Sequence, residues 1–417
     1  MVSAVAAADD APPAARPAAR LLIGLGGLYV AQSVIGGVVF TGLPAVMRQN
    51  GASLGDIAFI LLTVLPWSFK FLWAPAVERF RSPHGGVRRT RTTVAIFGTL
   101  AVCAILATAL IGPTALGPLT VAIMVASFSS ATLDIACDGH AVESVAGRDR
   151  GLANAAQVGG AYLGSAIGGG LYLVLLDHFG WRPSTLAMAA VLLVLAAPFL
   201  TAPDGARIDR ADRPRQSLRH ALKRPAVRSG LLLVGLFVLG QKWAMVLIGP
   251  FLIDRGLSLS TIGTVNGIGI TALGLAGALG GGVVLRRFSV LGVMSAALAV
   301  QGVVMFALAV FAASGDVAPA ALVATTLVSS GSLALGFVAL YSDLMGRASA
   351  DQAGVDFTLF QSMDAIVSLI GWRLVGLFGD ALGFAACFAG SGLLALLALG
   401  LLPIVAGRNR GETDGHG

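Results

Sequence analysis

A small set of ionisable side chains interrupts stretches that are otherwise almost wholly apolar: Lys70, Asp134, Asp138, Lys242, Asp356, Asp364 and Arg373. If those stretches cross a bilayer, charge at mid-depth costs at least about 2.5–3.5 kcal/mol, so each group needs a partner or a water-filled cavity. Asp134 and Asp138 fall four apart in Asp134-Ile-Ala-Cys-Asp138, which sets both carboxyls on one helix face. Two acids so close in a low dielectric raise each other's proton affinity unless a cation intervenes. The pair therefore suits a proton relay, or ion pairing with Lys70 or an arginine. The bland alternative puts Asp138 among headgroups beside Glu143. Lys70 either faces a cavity or an acid, or snorkels toward Glu78 and Arg79. Lys242, directly after Gln241 and before Trp243, has apolar helix on both sides and is the strongest candidate for a charge that meets a bound molecule. Phe357, Gln361 and Asp364 recur at helical spacing, either along a cavity or along a packed face. Arg373 lies further on and suits an interfacial anchor equally well. His140 is read as a structural group at a helix end.

The elements that must carry these groups follow from composition. Of 417 residues, 56% are hydrophobic and only 12% charged, about half the charged share of a soluble domain. So few charges cannot cover the surface of a water-soluble fold of this length. The net charge of +7 comes from basic residues in short loops between apolar runs, which argues for topogenic charge and against a nucleic-acid partner. Cys103, Cys137 and Cys387 are too scattered for a disulfide framework or a zinc site. No resident metal or cofactor is expected. The sequence lacks His-Glu-x-x-His, Gly-x-Ser-x-Gly and Gly-x-x-x-x-Gly-Lys elements, so neither a catalytic centre nor an ATP-driven half is expected.

A helix crossing the hydrocarbon core needs about 20 largely apolar residues. Runs of that size fall near 21–47, 57–77, 92–112, 117–138, 151–176, 183–201, 229–252, 259–285, 289–313, 319–342, 353–377 and 381–405. The reading is an all-α membrane protein with twelve spans in two six-helix halves, 21–201 and 229–405, joined by a basic linker, 202–228. Tails 1–20 and 406–417 flank them, the first without the order of a signal peptide. Of the 28 Lys and Arg, 22 fall in the tails and alternate loops of one face, whereas the other face receives only Arg48, Arg182 and Arg255. The positive-inside rule then puts both termini in the cytoplasm of a bacterial inner membrane.

Two six-helix halves about a basic loop is the layout of the major facilitator superfamily, in which the halves rock around a midplane site. Ala74-Pro-Ala-Val-Glu78-Arg79, followed by Arg88-Arg89, resembles its cytoplasmic loop signature, and implies a latch at Glu78 and Arg79. Gly281-Gly-Val-Val-Leu285-Arg286-Arg287 is a second copy without the acid. Gly160-x-x-x-Gly164-x-x-x-Gly168 allows close helix approach, and the fifth span lacks the Gly-Pro element of superfamily drug antiporters.

Within the superfamily, Phe40-Thr-Gly-Leu-Pro44, Leu65-Pro-Trp-Ser-Phe-Lys-Phe-Leu-Trp-Ala-Pro75 and Asp134-Ile-Ala-Cys-Asp138 resemble the branch of muropeptide permeases, acetyl-CoA transporters and siderophore permeases. Gln157-Val-Gly-Gly-Ala-Tyr-Leu-Gly164 and Asp356-Phe-Thr-Leu-Phe-Gln-Ser362 look most like the siderophore permeases of the rhizobactin and pyochelin type. The twelve-span length fits these too, since muropeptide permeases commonly carry two extra spans. That resemblance implies import of a siderophore or its ferric complex by a monomer, driven by protons. Lys70, Lys242, Gln241, Trp243, Tyr162, Gln157, Gln361 and Asp364 would meet substrate, and Asp134 and Asp138 would carry the proton. The alternatives are a muropeptide permease and a proton-coupled exporter of small molecules. A transporter-like sensor would need a larger soluble domain than these tails offer.

Overall fold

A computed structural model describes residues 17–51, 56, 59–60, 62–83, 86–145, 147–201, 207–208, 216–315 and 317–407. Both expected tails and the middle of the expected linker lie largely outside them.

Among the described residues, eleven helices are long and apolar enough to cross a membrane. They are α1 (Ala19–Met47), α3 (Thr90–Ile111), α4 (Leu116–Ser144), α5 (Arg150–Phe179), α6 (Trp181–Leu200), α7 (Pro225–Asp254), α8 (Gly267–Val284), α9 (Val290–Ala313), α10 (Pro319–Arg347), α11 (Ala353–Gly379) and α12 (Ala381–Ala406). The expected second span, 57–77, falls partly outside the described residues; its described part is the apolar helix α2 (Leu62–Leu72), resuming after Trp73 as Ala74–Arg81. Pro66 and Pro75 each open a new helical turn there, because proline lacks the N–H that a continuous ladder needs. The break has a use: the turn over Lys70–Leu72 is 3-10, and the Trp73 indole N–H anchors it to the Thr132 hydroxyl of α4 at 3.1 Å.

We call α1–α6 the first half and α7–α12 the second. Left-handed glycines turn the chain at Gly180 (φ 76°), between α5 and α6, and at Gly383 (φ 76°), near the start of α12. A side chain would be strained at either position. Within the first half α1 packs on α5 and α6, and α3 on α4 and α6; within the second, α8 packs on α10, and α9 on α10 and the α11–α12 pair. The halves meet where α5 lies on α8 and α10, and where α2 and α4 lie on α11. The glycine ladder of α5 serves packing, as the helical spacing suggests. A Cβ at Gly160 would lie 3.0 Å from the Tyr29 Cβ, and one at Gly37 would lie 2.7 Å from the Gly169 backbone N. Close backbone approach of this kind substitutes for hydrophobic driving force in lipid. Many large apolar side chains, such as Leu110, Val194 and Val303, face outward, as a lipid-facing surface requires.

The described parts of the linker are not a free spacer. Arg207–Ile208 (β2) pairs antiparallel with Gly86–Val87 (β1) from the α2–α3 loop, a two-residue ladder that the all-α reading does not foresee. Ser217 then caps the turn Leu218–Lys223, which leads into α7.

Candidate functional site

Three of the ionisable groups, Asp134, Lys242 and Asp364, line a cavity of about 470 Å³ between the halves, within the range of small-molecule sites. Its walls come from α1, α2, α4, α5, α7, α10 and α11. A π-turn over Val38–Gly42 in α1 carries Phe40 and Thr41 to its rim, where both are exposed. Such turns re-aim a helix and often occur at functional sites. On the face where α1 begins and α12 ends, the halves close on one another. A Cβ at Gly354 of α11 would lie 3.0 Å from the Ile135 carbonyl oxygen of α4, and one at Gly151 of α5 would lie 3.3 Å from the Leu285 side chain. The exposed rim residues Phe40 and Thr41 lie toward the other end of α1 from that face.

In the first half Lys70 pairs with Asp134, and its ammonium also donates to the Gln361 side-chain oxygen on α11 of the other half. Lys70 is 3% exposed, so snorkelling is not its role. Asp138 lies one turn deeper and is fully buried, not among headgroups. Its Oδ1 accepts from the Tyr29 hydroxyl and from Gln157 Nε2, both at 2.9 Å. Its Oδ2 has no hydrogen-bond partner among the described residues.

In the second half Lys242 Nζ donates to Asp364 Oδ1 at 2.7 Å and Oδ2 at 3.0 Å. It stands 4.4 Å from the centre of the Phe337 ring, a favourable cation–π placement. Tyr341 and Ser368 donate to the same carboxylate at 3.1 and 3.2 Å. Asp134, Gln157, Tyr162, Lys242, Gln361 and Asp364 all line the cavity.

Other expected contacts are not made. Gln241 is fully buried behind the wall, near Gly336 of α10, and its backbone carbonyl accepts from Gln301. Lys242 and Gln241 are chain neighbours, so helical geometry swings them to different faces. Trp243 turns to Gly371 of α11 and packs in an apolar cluster outside the cavity. Phe357 is fully buried beneath Tyr341, with ring centres 5.8 Å apart, so of the trio on α11 only Gln361 and Asp364 face inward. Asp356 pairs with Arg224 at the closed face. Arg373 is exposed, and the His140 ring packs edge-on against Phe199.

The latch differs from its expected form. Glu78 pairs with Arg81, at 2.6 Å, rather than with Arg79. Arg81 is fully buried and also holds Glu143 of α4 at 2.9 Å. Burial holds the Glu78 carboxyl above the usual carboxylate range, against the opposing pull of the Arg81 guanidinium beside it. Arg79 instead donates twice to the Gln216 carbonyl oxygen, at 3.1 and 2.8 Å. The i,i+3 spacing of Glu78 and Arg81 was a readable signal, whereas Tyr29, Tyr341 and Gln216 carried none. Of the second copy, Arg286 lies 4.0 Å from Asp149.

This constellation on this helical frame agrees with the sequence pattern of the Major Facilitator Superfamily, which matches residues 25–371. The chain belongs to that superfamily. It is a multi-pass membrane protein of the secondary-transporter type. It is 32% identical over 256 residues to the anhydromuropeptide permease of Escherichia coli K12, covering 59% of this chain and 52% of that protein, so the match spans about half the relative's length. It is 23% identical over 383 residues to the AmpG 4 protein of Rickettsia conorii, covering 88% of this chain and 91% of that protein. The fold is similar to that of the Escherichia coli fucose:proton symporter (TM-score 0.70, 15% identity, 93% of this chain and 97% of that one). It is equally similar to that of the human organic anion transporter TETRAN (TM-score 0.71, 16% identity, 94% and 100%).

These relatives favour the muropeptide branch over the siderophore reading. Both discriminating motifs mix cavity residues (Gln157 and Tyr162 in one, Gln361 in the other) with packing residues such as Gly160, Gly164 and Phe357, so much of each motif reports on packing and not on a substrate.

Proposed function

We propose that this protein imports a muropeptide-type solute, an amino sugar bearing a short peptide with free carboxylates, across the bacterial inner membrane by proton-coupled alternating access. One observation carries the reading: Lys242 lines the cavity, held by Asp364, and Lys70 of the other half stands behind its wall, held by the lining residues Asp134 and Gln361. Carboxylates of an anionic peptide can replace those partners without leaving a lysine uncompensated, which a neutral solute cannot do. The names of the curated relatives supply the solute class.

In this reading both termini are cytoplasmic, so the cavity opens to the periplasm and the seal beneath it faces the cytoplasm. Lys242, the more accessible lysine, meets the solute first, with Tyr162 and Gln361 adding hydrogen bonds. Asp134 exchanges partners as Lys70 is claimed. Asp138 has two donors on one oxygen and, among the described residues, no partner on the other, and in this reading it carries the proton. Its proton leaves toward Asp134 when the halves rock. Because α2 and α11 lie on the seam between the halves, the Lys70–Gln361 bond must break for the inner face to open.

The test is uptake of radiolabelled anhydromuropeptide into cells lacking their own permease, with and without this protein, repeated with the proton gradient collapsed. A ferric pyochelin-type complex runs in parallel. Accumulation of the muropeptide that needs both protein and gradient supports the reading. Accumulation of the ferric complex alone sinks it.

A further inference from the structure

The segment between the halves is built into the seal. Gln216 is fully buried, unlike a spacer residue. Its carbonyl oxygen takes both Arg79 hydrogen bonds from the end of α2. Its side-chain amide donates to the Ser82 carbonyl oxygen at 3.3 Å, in the first half, and to the Asp351 carbonyl oxygen at 3.4 Å, just before α11 in the second. The next residue continues the pattern: the Ser217 backbone N–H donates to Gln352 Oε1 at 3.3 Å. Gln352 Nε2 in turn donates to Asp356 Oδ1 at 2.7 Å. Asp356 also pairs with Arg224, whose Nη2 donates to the Arg347 carbonyl oxygen at 3.1 Å. One short stretch thus ties the inner ends of α2, α10 and α11.

We infer that Gln216 is a gate residue: its amide clasps the two halves on the closed face, and releasing that clasp is a step of the transport cycle. The physical ground is that its two acceptors belong to different halves. Moving α2 away from α11 must break at least one of those bonds, in a pocket where a lost partner costs more than it does in water. A residue that only fastened the linker would bond to one half. Gln216 does not line the cavity, so its effect falls on the balance between open states and not on recognition. The inference rests on the alternating-access reading but not on the identity of the solute.

The experiment needs no transported substrate. In a background with Cys103, Cys137 and Cys387 replaced by serine, one reporter is Thr41→Cys at the cavity rim. The other is Ala155→Cys, buried in the α5–α8 seam against Gly282. Each is labelled with a membrane-impermeant maleimide, in right-side-out and inverted vesicles respectively, with Gln216 intact and as Gln216→Ala. The expected result is slower labelling at residue 41 and faster labelling at residue 155, by roughly two- to tenfold, the net worth of a hydrogen bond or so. Gln216→Asn, which keeps the amide on a shorter stem, should lie between. Equal labelling at both reporters, in vesicles with matched protein content, overturns the inference. If Gln216→Ala does not insert, Gln352→Ala removes the Ser217 tether and must shift the two rates the same way; unchanged rates there overturn it equally. Loss of muropeptide uptake with the labelling shift intact would count against the solute and not against the clasp.

Discussion

The two lysine–aspartate pairs at the centre are alike in chemistry and unlike in setting. Lys70 and Asp134 are 4% and 12% exposed by side chain, whereas Lys242 and Asp364 are 24% and 11% exposed. The Lys70 ammonium is shared across the seam with Gln361; the Lys242 ammonium stays with partners of its own half, Asp364 and the Phe337 ring. Burial in a low dielectric makes the first pair expensive to break and so suited to a discrete switch. The second can trade its partner for an incoming anion at smaller cost, because water already reaches it.

The largest effect should come from breaking the buried pair. Lys70→Met leaves Asp134 as an uncompensated buried charge, which should abolish uptake and lower thermal stability in detergent by about 3–5 kcal/mol. Adding Asp134→Asn should recover most of the stability and none of the transport. A single variant as stable as the native chain would mean that this pair is not the switch.

Next comes the accessible pair. Lys242→Gln should raise the KM for an anionic solute about tenfold, the loss of one charge-assisted hydrogen bond, with thermal stability within about 1 kcal/mol of native. A fall in stability to match the Lys70 variant would erase the contrast between the pairs. Gln361→Leu should act more weakly, changing turnover by roughly two- to tenfold while KM moves little, since only the cross-half bond is removed. The smallest change is expected at Gln241, whose amide O and N both lack hydrogen-bond partners among the described residues. Gln241→Met should stabilise the protein by up to about 1 kcal/mol and leave uptake intact; a loss of uptake would place Gln241 in the site after all.

Composition, span periodicity and charge placement were enough for the membrane fold, because lipid leaves few ways to satisfy a backbone and exacts a cost for every buried charge. The same rule marked Lys70, Asp134, Asp138, Lys242 and Asp364, since an acid or amine in an apolar run has few other reasons to be there. Hydrophobicity alone did not reveal that Pro66 and Pro75 break the second span. Nor could it rank neighbours on a helix: Gln241, Lys242 and Trp243 are adjacent in sequence, yet only Lys242 faces the cavity. That outcome depends on the rotation of α7 against its neighbours, which packing fixes. The choice of Arg81 over Arg79 as partner of Glu78 turns on burial against α4. The work of Gln216 turns on two helix ends, 82 and 351, that only the folded chain brings together. The sequence by itself determined the medium, the number of apolar runs and the charges that must find partners; which partner each one found was decided by tertiary structure, because pairing energies depend on distance and dielectric and neither is written along the chain.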